Sequence, residues 1–410
     1  MKKSQRTHVK MRQFPVRNNV LCVNDTPITE IARQIGHTPF YVYDKRLITS
    51  RIQELRKALP PQLQLHYAIK ANPMAALVNH ISTLVDGLDI ASLGEMRIAE
   101  GASTSAENVS FSGPGKSNEE LREALASGIT INIESQWELQ RLLRMSQDAG
   151  KVPSITIRVN PDFEVIGSGM RMGGGARPFG IDTEKIPQVV QEVEAANVNF
   201  LGFHIYWGSQ NLCVEHILAA QKSTLDLARR LSQFCSKPIR LLNIGGGLGI
   251  PYFPGDQHLD LESIGSGLGK ILQQYPEFNE CNIIIELGRY IVGEAGLYVC
   301  EIIDRKESRG ETFLITNGGL HHHLAASGNF GQIIRKDYPV CIGNRMQDSN
   351  KEKAVIVGPL CTPLDILANK IELPKAGPGD LVVVYQSGAY GLTASPQDFL
   401  SHPRAGEVLL

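Results

Sequence analysis

No stretch of the sequence approaches the roughly 18 consecutive apolar residues that a membrane-crossing helix requires. Charge of one sign is also missing. A formal net charge of -1 at pH 7, with 20% charged residues, gives no general attraction to nucleic acid or to an anionic membrane surface. The seven cysteines (Cys22, Cys213, Cys235, Cys281, Cys300, Cys341, Cys361) are odd in number and contain no CxxC pair, which argues against a disulfide framework and a structural zinc site. The cytoplasm is the expected compartment. The basic start MKKSQRTHVKMRQFPVRNN lacks the apolar stretch of an export signal and is read as a loosely attached tail. Internal repeats and low-complexity tracts are absent.

What remains is a chain of 410 residues, 42% hydrophobic, with room for two or three domains or for one large α/β barrel and a smaller partner. Short β-branched runs alternate with helix-period segments. The strand candidates are LQLHYAIK (63–70), VDGLDIAS (85–92), NVSFSG (108–113), ITINIES (129–135), SITIRVN (154–160), FLGFHIYWG (200–208), RLLNIGGG (240–247) and NIIIELG (282–288). Between them lie helix candidates at 75–85, 117–128, 135–150, 184–197 and 214–234, with another at 45–59. Eight such alternations argue for an α/β fold built on a parallel (β/α)8 TIM barrel over a doubly wound sheet, although the pattern alone leaves both open. After residue 290 the period falls to two, in GLYVCEII (296–303), TFLITNGG (312–319), EKAVIVG (352–358) and GDLVVVYQ (379–386), which predicts a second, all-β domain. TPFYVYD (38–44) is strand-like and is expected to join it. The expected division is 1–44 as tail and sheet strand, 45–290 as barrel, and 291–410 as the β domain.

Chemistry in such barrels gathers where the strands end. Here the strands finish in Lys70, Asp89 and Ser92, Ser112, Glu134 and Ser135, Arg158 and Asn160, His204 and Tyr206, Gly245 to Gly247, and Glu286 with Arg289. Lys70 stands out among buried-looking neighbours. An unpaired buried ammonium is costly, so the position is either a surface exit or a lysine with a chemical task. The glycines of IGGGLG (244–249) let backbone amides approach an anion, the loops after strands seven and eight commonly hold phosphate, and Arg289 adds a charged donor. GGGLG lacks the GxGxxG spacing, which sets a dinucleotide aside.

In order along the chain stand YAIKAN (67–72), GLDIASLGE (87–95), SGPGKS (112–117), RVNPD (158–162), FHIYWGSQ (203–210), NIGGG (243–247), ELGR (286–289), GPLCTPLD (358–365) and SGAYG (387–391). Over roughly 38–400 this series resembles the pyridoxal-phosphate decarboxylases of the alanine-racemase-like fold, fold type III, the group of diaminopimelate, ornithine and arginine decarboxylases. The resemblance implies that Lys70 carries pyridoxal 5'-phosphate on a covalent link and that Glu286 keeps the pyridine nitrogen protonated. It assigns Ser209, Gly245, Gly246, Gly247, Gly288, Arg289 and Tyr390 to the phosphate region and Asp89 to a position near the cofactor. Cys361 matches the cysteine that enters from the neighbouring subunit and returns a proton to Cα, which implies a homodimer with shared sites. His322, Thr362 and Arg177 are the residues expected to face the substrate.

The sequence departs from the family at three points. Tyr206 stands where most members have a histidine stacked on the ring, and His204 lies two residues back on the same strand face, so either is expected to line the cofactor. Thr362 replaces the acid that grips a distal amine in the diamino-acid enzymes. NGGLHHHLAASGNFG (317–331) lacks the Arg-Pro pair of the diaminopimelate enzymes. FHIYWGSQN, GGLHHH and GPLCTP together resemble the subgroup of the carrier-protein-linked glutamate decarboxylase of butirosin biosynthesis and the exosortase-associated decarboxylases. The implied substrate is an aminoacyl group on an acyl carrier protein, with free meso-diaminopimelate or another free amino acid as the alternative. A racemase on the same barrel would need a tyrosine base where Cys361 stands, and a non-enzymatic regulator would have little use for Lys70, Glu286, Arg289 and Cys361 together. Adjacent His321, His322 and His323 cannot all reach one ion from an extended segment, so no metal is expected. GSGMRMGGGARPFG (167–180) is read as a glycine-rich loop able to close over substrate.

Overall fold

All eight expected strands form, most of them trimmed at their polar ends. They are β1 (Leu63–Ala68), β2 (Gly87–Ile90), β3 (Val109–Phe111), β4 (Thr130–Ile133), β5 (Ser154–Asn160), β6 (Asn199–Ile205), β7 (Leu241–Asn243) and β8 (Asn282–Leu287). The structure, a computed structural model, describes residues 7–164, 170–171, 173–332 and 334–410. Each strand pairs in parallel with the next in sequence, and β8 returns to β1 through Ile283↔Leu63 to Leu287↔Tyr67. The barrel is closed. Between the strands run α1 (Ala75–Ser82), α2 (Leu93–Glu100), α3 (Asn118–Ser127), α4 (Gln136–Ala149), α5 (Ile186–Ala195), α6 (Val214–Ser232) and α7 (Leu261–Leu272). The reading missed α2 and α7. Three glycines in LESIGSGLGKIL mask the helical pattern of α7, and Gly265 has a packing reason, because a Cβ there would lie 1.8 Å from the carbonyl oxygen of Ala58.

Two of the serines expected at the catalytic rim are helix caps instead. Ser92 Oγ accepts from Glu95 N at 3.2 Å, and Ser135 Oγ accepts from Glu138 N at 3.1 Å. Ser117 forms a full capping box with Glu120. The barrel interior is polar rather than filled with branched aliphatics. Asn132 Nδ2 donates to Ser112 Oγ at 2.7 Å, Thr156 Oγ1 donates to Asn132 Oδ1, and Ser110 Oγ donates to Asp89 Oδ1.

The chain divides into two compact units. One comprises Arg51–Ile250 and His258–Tyr290; the other comprises Met1–Ser50, Pro251–Gln257 and Ile291–Leu410. The second is built on a mostly antiparallel sheet in the order 340–342, 381–384, 296–308, 311–316, 351–357, 366–374. Phe40–Tyr43 pairs antiparallel with Gly296–Val299 on one side and parallel with Gly406–Leu409 on the other. Strands 340–342, 366–374 and 406–409 escaped the reading because they are short or interrupted by charge. The N-terminal segment is not loose where it is described. Phe14 is buried with Leu21, Val23, Ile28 and Ile31 against Phe40, Val42, Leu297 and Val299, because an apolar side chain among basic neighbours still gains by leaving water.

Within the barrel unit a buried ion pair ties the loop after β3 to α4. Lys116 Nζ donates to Glu138 Oε1 at 2.7 Å and to the carbonyls of Gly113 and Asn132 at 2.9 and 2.8 Å, and both side chains are almost fully buried. Burial pushes the Glu138 carboxyl up, and Lys116 pulls it back only in part. Replacing Lys116 by Met strands a buried carboxylate and should lower unfolding stability by about 3–5 kcal/mol. Urea denaturation at neutral pH measures this, and the double variant Lys116→Met, Glu138→Gln should recover much of the loss.

Candidate active site

Lys70 leaves the end of β1 on a 3-10 turn, Ile69–Ala71, rather than on the strand itself. The turn is pinned from below. Tyr67, fully buried, donates its hydroxyl to Asn72 O at 2.9 Å, and Asn72 Oδ1 accepts from Met74 N at 3.1 Å. Gly288, past the end of β8, packs on this turn so closely that a Cβ would lie 2.8 Å from the Ala71 Cβ. Its requirement is close backbone approach.

Three strand ends meet at Glu286. Lys70 Nζ donates to Glu286 Oε1 at 3.1 Å, and His204 Nε2 lies 3.4 Å from Oε2. Glu286 and His204 are buried, whereas the Lys70 side chain remains 41% exposed. The ammonium stands 5.6 Å from the centre of the Tyr206 ring. Of the two candidates for lining the site, Tyr206 is therefore beside the lysine, and His204 lies behind with the carboxylate. Burial alone would push the Glu286 carboxyl up; the charge of Lys70 and the contact with His204 reverse this and hold it far below the ordinary carboxylate range.

Sequence reading overlooked Glu95. Its carboxylate accepts from Ala91 N at 2.7 Å, and burial raises its pKa while Lys70 pulls the other way. The Ser-x-x-Glu of SLGE, a capping-box pattern, was the available signal.

The glycine triplet is held at its first residue. Gly245 N donates to Asn243 Oδ1 at 2.8 Å, and Gly245 O accepts from Glu286 N at 3.0 Å. Gly246 has no room for a Cβ, which would lie 1.9 Å from Glu286 O, and Gly247, at φ +82°, would place one 2.2 Å from the Trp207 ring. Among the described residues the amides of Gly246 and Gly247 donate to no partner, which suits an anion; the Gly245 amide is already used. These donors, a half-exposed lysine and a buried carboxylate fit a phosphorylated pyridoxal. Ser209 lies in the two-residue strand Gly208–Ser209, paired with Met170–Arg171. Asp89 lies inside the barrel, facing Ser110 and His66.

The glycine-rich loop lies partly outside the described residues, and its described end is anchored rather than free. Asn160 Oδ1 accepts from Gly174 N at 3.2 Å, Asn160 Nδ2 donates to Gly175 O at 2.8 Å, and Glu134 Oε2 accepts from Gly180 N at 3.2 Å. Arg158 steadies that glutamate, donating to Oε1 at 2.8 Å. Arg177 spends its Nε on Gly174 O at 3.1 Å.

The other candidates belong to the second unit. Cys361 is exposed, and Thr362 Oγ1 accepts from Leu364 N at 3.3 Å. Tyr390 sits at φ +53°. His322 is buried, its Nε2 2.8 Å from Pro403 O, and its carbonyl accepts from Tyr41 OH at 2.7 Å. His323 Nε2 instead meets Ser387 Oγ at 3.0 Å. Burial pushes His321 and His323 down to about 3 and lowers His322 as well, so all three rings are neutral near pH 7. Among the described residues no cluster of three or more His, Cys, Asp or Glu is arranged to hold a metal ion.

Residues 45–293 match the family model of the pyridoxal-dependent decarboxylase pyridoxal binding domain. The chain is 38% identical to the L-glutamyl-[BtrI acyl-carrier protein] decarboxylase of Niallia circulans, covering 94% of this chain and 92% of that one. It is 32% identical to the 2-[(L-alanin-3-ylcarbamoyl)methyl]-2-hydroxybutanedioate decarboxylase of Staphylococcus aureus, over 94% and 97%. The solved structure of diaminopimelate decarboxylase from Helicobacter pylori complexed with L-lysine superposes with a TM-score of 0.83 at 26% identity, over 93% and 94%.

The buried carboxylate makes a pH prediction. A carboxyl held below its ordinary value of 4.5 contributes stability that is full above that pH and is lost as pH falls through and below it. The stability gap between wild type and Glu286→Gln, both without cofactor, should therefore narrow as pH is lowered from about 6 to about 3. Urea unfolding across that range checks the slope.

Proposed function

The chain belongs to the pyridoxal-dependent decarboxylases and decarboxylates an amino acid with pyridoxal 5'-phosphate; from that premise we propose that its substrate is an aminoacyl group held on an acyl carrier protein. The observation that carries the catalytic half is the Lys70–Glu286 pair beside Tyr206, with unspent glycine amides on the neighbouring loop. When bound, the cofactor supplies an electron sink for the pair left by the departing carboxylate.

In this reading Lys70 is the residue that holds the cofactor covalently. Glu286 would face the ring nitrogen as an acceptor, a role supported by its burial at the strand ends beside Lys70. Gly246 and Gly247 offer amides to the phosphate, with Ser209, Arg289 and Tyr390 as further donors, while Gly245, Gly288 and Asp89 shape the site from behind. Tyr206 flanks the ring. Cys361, from the partner subunit, returns the proton to Cα, and Thr362, Arg177 and His322 shape the substrate side. An exposed Cys361 supports a homodimer, as do the exposed apolar residues Phe330, Ile334 and Leu364 of the same unit, with Asn329 Nδ2 donating to Leu364 O at 3.3 Å. The cytoplasm is the proposed compartment, supported by seven free cysteines.

For the substrate, the support is the carrier-linked relative at 38% identity and the neutral Thr362. A distal ammonium would meet no acid at that position, whereas a thioester arm needs none. The test is CO2 release by purified, cofactor-loaded protein from aminoacyl thioesters on a carrier protein and from free meso-diaminopimelate. Release from the former alone is expected, and efficient release from the latter with none from the former would overturn the proposal.

Shared sites have an arithmetic signature. Lys70→Ala and Cys361→Ala should each be nearly inactive for amine formation, and Lys70→Ala should lose borohydride-trappable cofactor. Mixing and reassociating the two should restore about a quarter of wild-type activity, since half the dimers are mixed and each carries one intact site of two. No recovery despite subunit exchange, followed by native mass spectrometry, would exclude a site completed across the dimer.

A further inference from the structure

The turn that presents Cys361 is fastened to a distant segment by one buried carboxylate. Asp365 is 2% exposed. Its Oδ2 accepts from Leu360 N at 2.9 Å, the residue just before the cysteine, and its Oδ1 accepts from Leu320 N at 2.6 Å. Its backbone carbonyl accepts from Gly358 N at 3.0 Å, and Thr362 N donates to Leu360 O at 2.8 Å, closing the turn around Cys361. Two glycines stand against the carboxylate. A Cβ on Gly319 would lie 2.2 Å from Oδ1, and one on Gly358 would lie 2.3 Å from Oδ2.

Among the described residues no ion pair includes this carboxylate, so its burial is compensated chiefly by the two amides. A local turn needs only one such acceptor. The second bond reaches across 45 residues of sequence to Leu320, in the segment that continues into His321 to His323. Burial raises the Asp365 carboxyl and the amides of Leu320 and Leu360 pull it back, which fits an acceptor held for its geometry.

We propose that Asp365 is the positioning residue for Cys361, clamping the 358–365 turn to the 317–323 segment so that the thiol is presented at a fixed distance from the bond that breaks. This rests on Cys361 as proton donor. In that step the Cα–carboxylate bond breaks and CO2 leaves. The electron pair takes the Sγ proton at Cα, and the thiolate is reprotonated by water. With the cofactor bound, a displaced thiol would leave that pair to be protonated away from Cα, and hydrolysis would then release a carbonyl compound in place of the amine, the amino group staying with the cofactor.

Asp365→Asn keeps the shape but turns an –NH2 donor toward one of two N–H donors. In the holoenzyme without substrate, iodoacetamide labelling of Cys361, followed by peptide mass spectrometry with Cys213 as internal reference, should change in rate at least threefold. With substrate, the ratio of amine formed to CO2 released should fall below one. Gly358→Ala, which intrudes on the same carboxylate from the turn side, should act alike and serves if Asp365→Asn does not fold by circular dichroism. A folded variant with either value unchanged overturns the clamp. Cys361→Ala is the separate control: an amine-to-CO2 ratio of one there removes the donor assignment itself, and the labelling rate alone then decides whether Asp365 holds the turn.

Discussion

A carboxylate buried at the convergence of three strand ends is the constraint around which this barrel is arranged. Glu286 cannot stay ionised in that place without partners, and it has two, the Lys70 ammonium on one oxygen and the His204 ring near the other. Each partner needs its own support. Lys70 depends on a turn pinned by Tyr67 and approached by Gly288; His204 depends on β6 lying in register with Arg158 of β5 and Asn243 of β7. Gly246, packed on the carbonyl of Glu286, ties the anion-binding turn to the same backbone point. The two ends of a phosphorylated pyridine ring would thus be gripped by one rigid piece of the barrel.

The alternation of β-branched runs with helical segments pointed to an α/β fold but left a doubly wound sheet open beside the barrel; the polar residues that close nearly every strand favoured the barrel. Lys70 and Glu286 were legible as polar ends of apolar runs. What the sequence concealed was where each polar group spends its bonds. Ser92 and Ser135 look like rim chemistry and act as helix caps, while Glu95, three residues after the first of these caps, accepts from Ala91 N and comes under the influence of the lysine. Local spacing cannot separate these uses, since a serine before a helix satisfies both readings. The clamp at Asp365 was invisible for another reason: its partners lie in two loops joined only by tertiary structure.

Departures from the family pattern acquire physical content in the same way. Tyr206 in place of histidine puts a phenol ring beside the ammonium, while the neighbouring His204 turns to the carboxylate. His204 near the end of β6 and Tyr206 just past it have thereby taken separate tasks, one toward the buried acid and one beside the lysine. The histidine tract, suggestive of a metal on composition, resolves into neutral rings directed at different partners, Pro403 and Ser387 among them.

The strand Phe40–Tyr43 sits between Gly296–Val299 and Gly406–Leu409, so its neighbours emerge from the ribosome some 250 and 360 residues after it. All eight barrel strands are synthesised while this aromatic ribbon still waits for its first hydrogen-bonded companion. During translation the nascent polypeptide therefore carries this strand with both edges unpaired for some 250 residues of synthesis, the condition in which strand edges are open to wrong partners.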